Sequence, residues 1–284
     1  MVSGLALLLF VASVDGSAAA AAVASGDAHY ARRAEGASAG VARPQQTDSA
    51  IADYRRAITL DPSSLDARLK LLRAYFFRGG FCGASAADAM DIFTAAKDVA
   101  EDTVKLLDSQ TGRSKSHVDS GTAGTVPVAA EVYLWAAVSW GQWAVSHPAR
   151  GAWQHAPARI RDLAQAVVAL DPSAEQAGGH VVLGRLHTEA PRVPFVTHWV
   201  DRAAGLRHLR TALSLSPDSP QIMYFLAAAL LRLEPASSQE ARNLLVRCAT
   251  AKPRPEYPVE DEHYAWQARD LLADLAASPH AARR

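Results

Sequence analysis

Four times along the chain an apolar stretch runs into a proline. The segments are Ala57-Ile58-Thr59-Leu60-Asp61-Pro62, Val167-Val168-Ala169-Leu170-Asp171-Pro172, Ala212-Leu213-Ser214-Leu215-Ser216-Pro217 and Cys248-Ala249-Thr250-Ala251-Lys252-Pro253. Proline lacks the N–H that continues a helix and pushes its predecessor to extended geometry, so each segment is a helix stop. By the numbering of Pro62, Pro172, Pro217 and Pro253 the stops fall 110, 45 and 36 residues apart, and the first interval is close to three of the last. A helix-turn-helix unit of about 34 residues, with insertions, fits that spacing.

A two-helix hairpin of this kind has an apolar face that it cannot cover alone, and stacking the next hairpin on it hides both. Helical periodicity fills the space between the stops. Leu65, Leu69, Leu72 and Phe76, then Met90, Phe93, Val99 and Leu106, then Ile222, Phe225, Leu226, Ala229, Leu230 and Leu233 recur at spacings of three and four or their sums. No Asn-Gly pair occurs, and the one Asp-Gly pair, Asp15-Gly16, runs into an alanine tract rather than a strand-like alternation. The expected fold is all-α, with tetratricopeptide-like helical-hairpin repeats forming an α-α superhelix over residues 26–280. The Ser-, Gly- and Thr-rich stretch 109–127 reads as a surface loop, and the proline-rich run Pro191 to Trp199 as an ordered one.

With 284 residues the chain buries enough surface to need no disulfide or metal staple. Its formal net charge of +0 argues against nucleic acid as the partner. Leu5 to Val14 is apolar but too short to span a bilayer, and small residues from Ala18 to Ala24 follow it. Residues 1–25 therefore read as a signal peptide, which exports the protein, or as a disordered leader. No cysteine precedes Cys82, so a lipid anchor has no acceptor there.

One helix is unusually aromatic: Val132 to Val145 carries Tyr133, Trp135, Trp140 and Trp143 without a charge. At about 100° per residue the tryptophans cover an arc of about 140°, too wide for one packing stripe. They form either a helix buried on several sides or an aromatic wall on a cavity or partner surface. Gly141 among them suggests a close approach at that point, because glycine costs a helix about 1 kcal/mol relative to alanine.

Chemistry-bearing motifs are lacking. His180 and His187 share a helix face, but their backbones lie about 10 Å apart, too far for one metal ion, and read as core or polar-face histidines. Gly36-Ala37-Ser38-Ala39-Gly40 matches the nucleophile-elbow text without the strand that such an elbow requires. No phosphate-cradling or dinucleotide fingerprint occurs. Cys82 lies in a glycine-rich turn and Cys248 on an apolar helix face, which favours a buried, unpaired Cys248 over a disulfide. Glu260, Asp261 and Glu262 read as dipole-complementing charges at a solvated helix start. These readings give no catalytic residue, no metal and no cofactor.

Glu131-Val132-Tyr133-Leu134-Trp135 with Trp140-Gly141-Gln142-Trp143, then Gly184-Arg185-Leu186-His187, Ala190-Pro191, Trp199, Leu206 to Pro217 and Tyr224-Phe225-Leu226-Ala227, together resemble the TRAP transporter T-component family, over about a third of the chain. The resemblance implies a non-enzymatic, exported tetratricopeptide-like protein that associates with the periplasmic substrate-binding subunit of a TRAP transporter. It further implies trimeric assembly and an apolar pore holding a hydrophobic small molecule. Tyr133, Trp135, Trp140, Trp143, Arg185, His187 and Trp199 become the candidates for ligand or partner contact. The alternative is a generic tetratricopeptide scaffold that recognises a protein or peptide in its groove.

Overall fold

The computed structural model describes residues 3–111, 126–195 and 197–277, with side chains from residue 16 onward. Its fold is all-α. Among the described residues there is no strand, only the isolated bridge between Ser38 and Val41. Two compact units form, Met1–Gly36 with Ala42–His117 and Ala37–Val41 with Val118–Arg284. The first holds α1 (Ser3–Ala31), α2 (Pro44–Leu60), α3 (Leu65–Phe81) and α4 (Ala86–Thr111). The second holds α5 (Val126–Ser146), α6 (Pro148–Trp153), α7 (Ala156–Leu170), α8 (Ala174–Glu189), α9 (Arg202–Leu215), α10 (Pro220–Leu233), α11 (Ser238–Thr250) and α12 (Pro258–Ala277).

All four proline stops lie at helix ends, those of α2, α7, α9 and α11. The residue five before each proline is Ala57, Val167, Ala212 or Cys248, with relative exposures of 1, 0, 0 and 0%. One repeat position thus points into the core every time. At the first three stops the residue before proline leaves the helix and gives its N–H to that buried residue's carbonyl: Asp61 to Ala57 at 2.8 Å, Asp171 to Val167 at 2.8 Å and Ser216 to Ala212 at 2.9 Å. The fourth closes one residue earlier, from Ala251 to Cys248. Asp61 and Asp171 also build the same turn, each carboxylate accepting from the N–H and hydroxyl of the serine two residues on.

In the first unit α1 packs on α2, α2 on α3 and α3 on α4. Helix α1 runs without a break from Ser3 through Ala31, and its Ala19, Ala22 and Gly26 are buried. Tyr54 of α2 lies where a side chain at Gly26 would be, its ring 2.5 Å from the Cβ that Gly26 lacks. The Tyr54 hydroxyl donates to Asp27, and Ser25 donates to Asp53. Of the loop expected over 109–127, residues 109–111 end α4 and residues 126–127 begin α5; the rest lies outside the described residues.

In the second unit α5 packs against α7 and α8, α8 against α9 and α10, and α10 against α11 and α12, while α7 meets α8, α9 meets α10 and α11 meets α12. The helices α5, α8, α10 and α12 therefore stand side by side, with α7, α9 and α11 behind them. Helix α10 shows why: Ile222, Met223, Leu226, Ala227, Ala229 and Leu230 are all buried. Burying each of the larger four gains about 1.5 to 3 kcal/mol. The α8–α9 crossing needs glycine on both sides. A Cβ on Gly205 would come within 2.7 Å of Thr188 and 3.0 Å of the Gly184 carbonyl, and one on Gly184 within 2.6 Å of Leu209. The Pro191 to Trp199 run is pinned by the buried Thr197, whose hydroxyl accepts from the Val193 N–H and donates to the Pro191 carbonyl. Among the expected core positions Met90 is instead exposed, at 38%.

One sequence expectation is corrected here. Asp261 is not a solvated helix-start charge but 2% exposed, because Arg254 folds back over it with side-chain contacts of 2.6 and 2.7 Å and a backbone N–H at 2.9 Å. The same guanidinium donates to Gln176 at the start of α8. There Glu175, Gln176 and Ala177 hold φ values of +46°, +59° and +60°, a left-handed turn that side chains disfavour.

Candidate functional site

The aromatic helix α5 sends two of its three tryptophans inward. Trp140 and Trp143 are 5% and 3% exposed, packed edge to face with centroids 5.5 Å apart, and Trp143 stacks on His147 at 5.3 Å. Tyr133 and Trp135 are half-buried. The close approach expected at Gly141 is absent, since a Cβ built there meets nothing within 4 Å. Gly141→Ala is accordingly expected to stabilise the protein, by about 0.5 to 1 kcal/mol, through backbone entropy alone. A higher urea midpoint with an unchanged slope would register it.

Arg185, by contrast, lies in a groove of about 350 Å3 built by three of the helices that stand side by side. Helix α8 supplies Arg185, Thr188 and Glu189; α10 supplies Tyr224, Phe225, Ala228, Ala229 and Arg232; α12 supplies His263, Tyr264 and Gln267. Tyr224, Ala228 and Arg232 follow one another at four-residue spacing, hence along one face of α10. The methyl of Ala228 leaves the depression between its larger neighbours. The wall is aromatic: Tyr224, Phe225 and Tyr264 lie with ring centroids 5.3 to 6.1 Å apart, and Arg185 stacks over Phe225 at 4.4 Å.

The groove's charges are unequally satisfied. Arg185 grips Glu189 with two hydrogen bonds of 2.9 and 3.0 Å. Arg232 gives one N–H to the Thr188 carbonyl at 2.6 Å, and its other donors have no partner among the described residues. The Tyr224 hydroxyl is likewise unpartnered among them, whereas that of Tyr264 accepts from Gln221. Burial holds the His263 imidazole below its ordinary value, so it stays neutral near pH 7. Two guanidiniums against one carboxylate leave the groove one positive charge.

His187 and Trp199 meet elsewhere, on the side of α8 that faces α9. Their rings pack edge to face at 5.5 Å, and Arg161 of α7 covers the Trp199 ring at 4.4 Å. His180, one face position away from His187 as its spacing predicts, lies 2.9 Å from His208 of α9, Nδ1 to Nδ1. His208 also stacks on His187 at 6.2 Å. His187 accepts the Asp201 N–H at Nδ1, 3.0 Å away, and Asp201 caps α9 through the N–H groups of Ala203 and Ala204. Burial holds all three imidazoles below their ordinary value, His208 down to about 4 with help from His180, His187 and Arg207. Among the described residues no group of three His, Cys, Asp or Glu side chains could hold a metal ion.

Cys248 is a buried, free thiol that donates to the Pro220 and Tyr264 carbonyls at 3.2 and 3.4 Å. Burial, with Asp261 nearby, pushes it up to about 12, which suits packing rather than nucleophilic attack. Among the described residues no helix is long and apolar enough to cross a membrane. Three-helix convergence is what sequence reasoning missed: Arg232, His263 and Gln267 carry no local motif, and His208 becomes a partner of His180 only once α9 folds back on α8. Compared with protein-family models the chain matches none, and compared with curated proteins it matches none either.

Proposed function

We propose that this chain is a non-enzymatic helical-repeat binding protein, of tetratricopeptide-like architecture, and that the α8–α10–α12 groove is where it holds its partner. The observation that carries the reading is Arg232: a guanidinium at an aromatic groove, with donors left over and net positive charge around it. The occupant that fits is an extended segment of a partner protein bringing a carboxylate to Arg232 and an apolar side chain to Phe225 and Tyr264. Buried Trp140 and Trp143 favour this scaffold reading over an aromatic-walled cavity as the site of recognition.

The resemblance to the TRAP transporter T component supplies the leading candidate for that partner, an exported substrate-binding subunit, and a periplasmic location would go with it. Isothermal titration of such a subunit against the purified chain tests the partner and the groove. Binding is expected to fall at least tenfold in Ala228→Leu, which fills the groove from a half-buried position, with the thermal midpoint unchanged. Equal affinity in the two forms would remove the groove from the interface, and no binding to either would remove the transporter partner.

A further inference from the structure

We propose that His180, His187 and His208 form a proton-operated latch between α8 and α9, and that releasing it withdraws the α8 wall of the groove. The inference rests on the groove being the binding site. It starts from tautomers. The single hydrogen bond between His180 Nδ1 and His208 Nδ1 at 2.9 Å needs one ring to donate and the other to accept, so the pair has no room for both rings as imidazolium. His187 accepts the Asp201 N–H at Nδ1, so its neutral form carries the proton at Nε2. A second proton on that ring can only go to Nδ1, where it meets the Asp201 N–H head on.

Two of the three rings therefore cannot take up a proton while α8 and α9 stay in place. The charged groups around them mostly oppose uptake as well. Arg161 of α7 with Arg202 and Arg207 of α9 act against a charged His187, and Arg207 and the neighbouring imidazoles act against a charged His208; only the Asp201 carboxylate favours charging His187. Arg185 and Glu189, the other charges of this part of α8, are paired with each other, and Arg232 of α10 is tied to the Thr188 carbonyl.

The latch and the groove share α8. His187 is followed by Thr188, whose carbonyl holds Arg232, and by Glu189, which holds Arg185; the His187 carbonyl itself takes an N–H from Arg202. Moving α8 off α9 displaces one wall of the groove as a body. The sign follows from imidazoles held below their ordinary value: the latch is closed above pH 6.5, where the unfolded or open rings are also neutral, and is lost as pH falls toward about 4.

The test is hydrogen exchange of the full chain between pH 7.5 and 4.5, corrected for the intrinsic pH dependence of exchange, together with NMR titration of its histidine rings. Protection of residues 180–188 and 202–209 is expected to drop at least tenfold in the acid limb, with the three rings titrating below 6.5, and His208→Gln is expected to flatten that drop. Rings that all titrate near 6.5 with α8 protection unchanged would overturn the latch, and the ring titration of the wild-type chain decides this even if the variant folds poorly. Coupling to the groove is read separately from a polarity-sensitive naphthalene dye on Ala228→Cys, whose emission should shift at the pH where α8 opens. An opened α8 with the dye unmoved overturns the coupling, whereas equal partner affinity of the wild-type chain and Ala228→Leu at neutral pH counts against the groove reading alone.

Discussion

Replacing Arg254 by alanine is expected to cost about 3 to 5 kcal/mol, as chemical denaturation would measure it. The reason is asymmetric. Asp261 is 2% exposed and Arg254 supplies its side-chain partners at 2.6 and 2.7 Å. Removing the guanidinium leaves a buried carboxylate with little more than the residue 254 N–H, and orphaning one member of a buried ion pair costs far more than the pair itself contributes. The same side chain holds Gln176 in the left-handed turn that opens α8, and three residues in that conformation cost roughly 1 kcal/mol or more each. Asp261→Asn in the Arg254→Ala background should recover part of the loss, because it removes the stranded charge. A loss below about 1 kcal/mol in the single variant would show that water reaches Asp261 and that the clamp does not hold the turn.

Trp140→Ala is expected to cost a similar amount, about 3 to 5 kcal/mol, from lost transfer energy and the cavity left behind. Its ring is 5% exposed and packs on Trp143, so surrounding side chains would have to collapse across the width of an indole. Partner affinity should be unchanged once the variant is folded, because no α5 residue lines the groove. Near-native stability with altered affinity would move the aromatic helix from the core to the binding surface.

The proline stops carried most of the fold. A stop is a local covalent fact, and Pro62, Pro172, Pro217 and Pro253 each end a helix where the text ends one. The buried side at Ala57, Val167, Ala212 and Cys248 follows from periodicity, which is also local. His180 and His187 share a face for the same reason. What was illegible is whatever depends on which helices meet. Asp261 looked like a solvated cap because its partner, Arg254, sits in a proline-rich turn whose direction no pattern states. Gly141 looked like a contact point because glycine marks both close approach and open space. Arg232 became a site residue only when α8 and α12 closed around it.

Photo-cross-linking from position 267, where a long side chain already lines the groove, in the cell that makes the protein tests the central claim most directly, with Val246 on α11, half-exposed and away from the groove lining, as the control position. The account predicts one protein adduct from position 267 that Arg232→Gln abolishes and that position 246 does not form. Adducts from position 246 with none from 267 would contradict it.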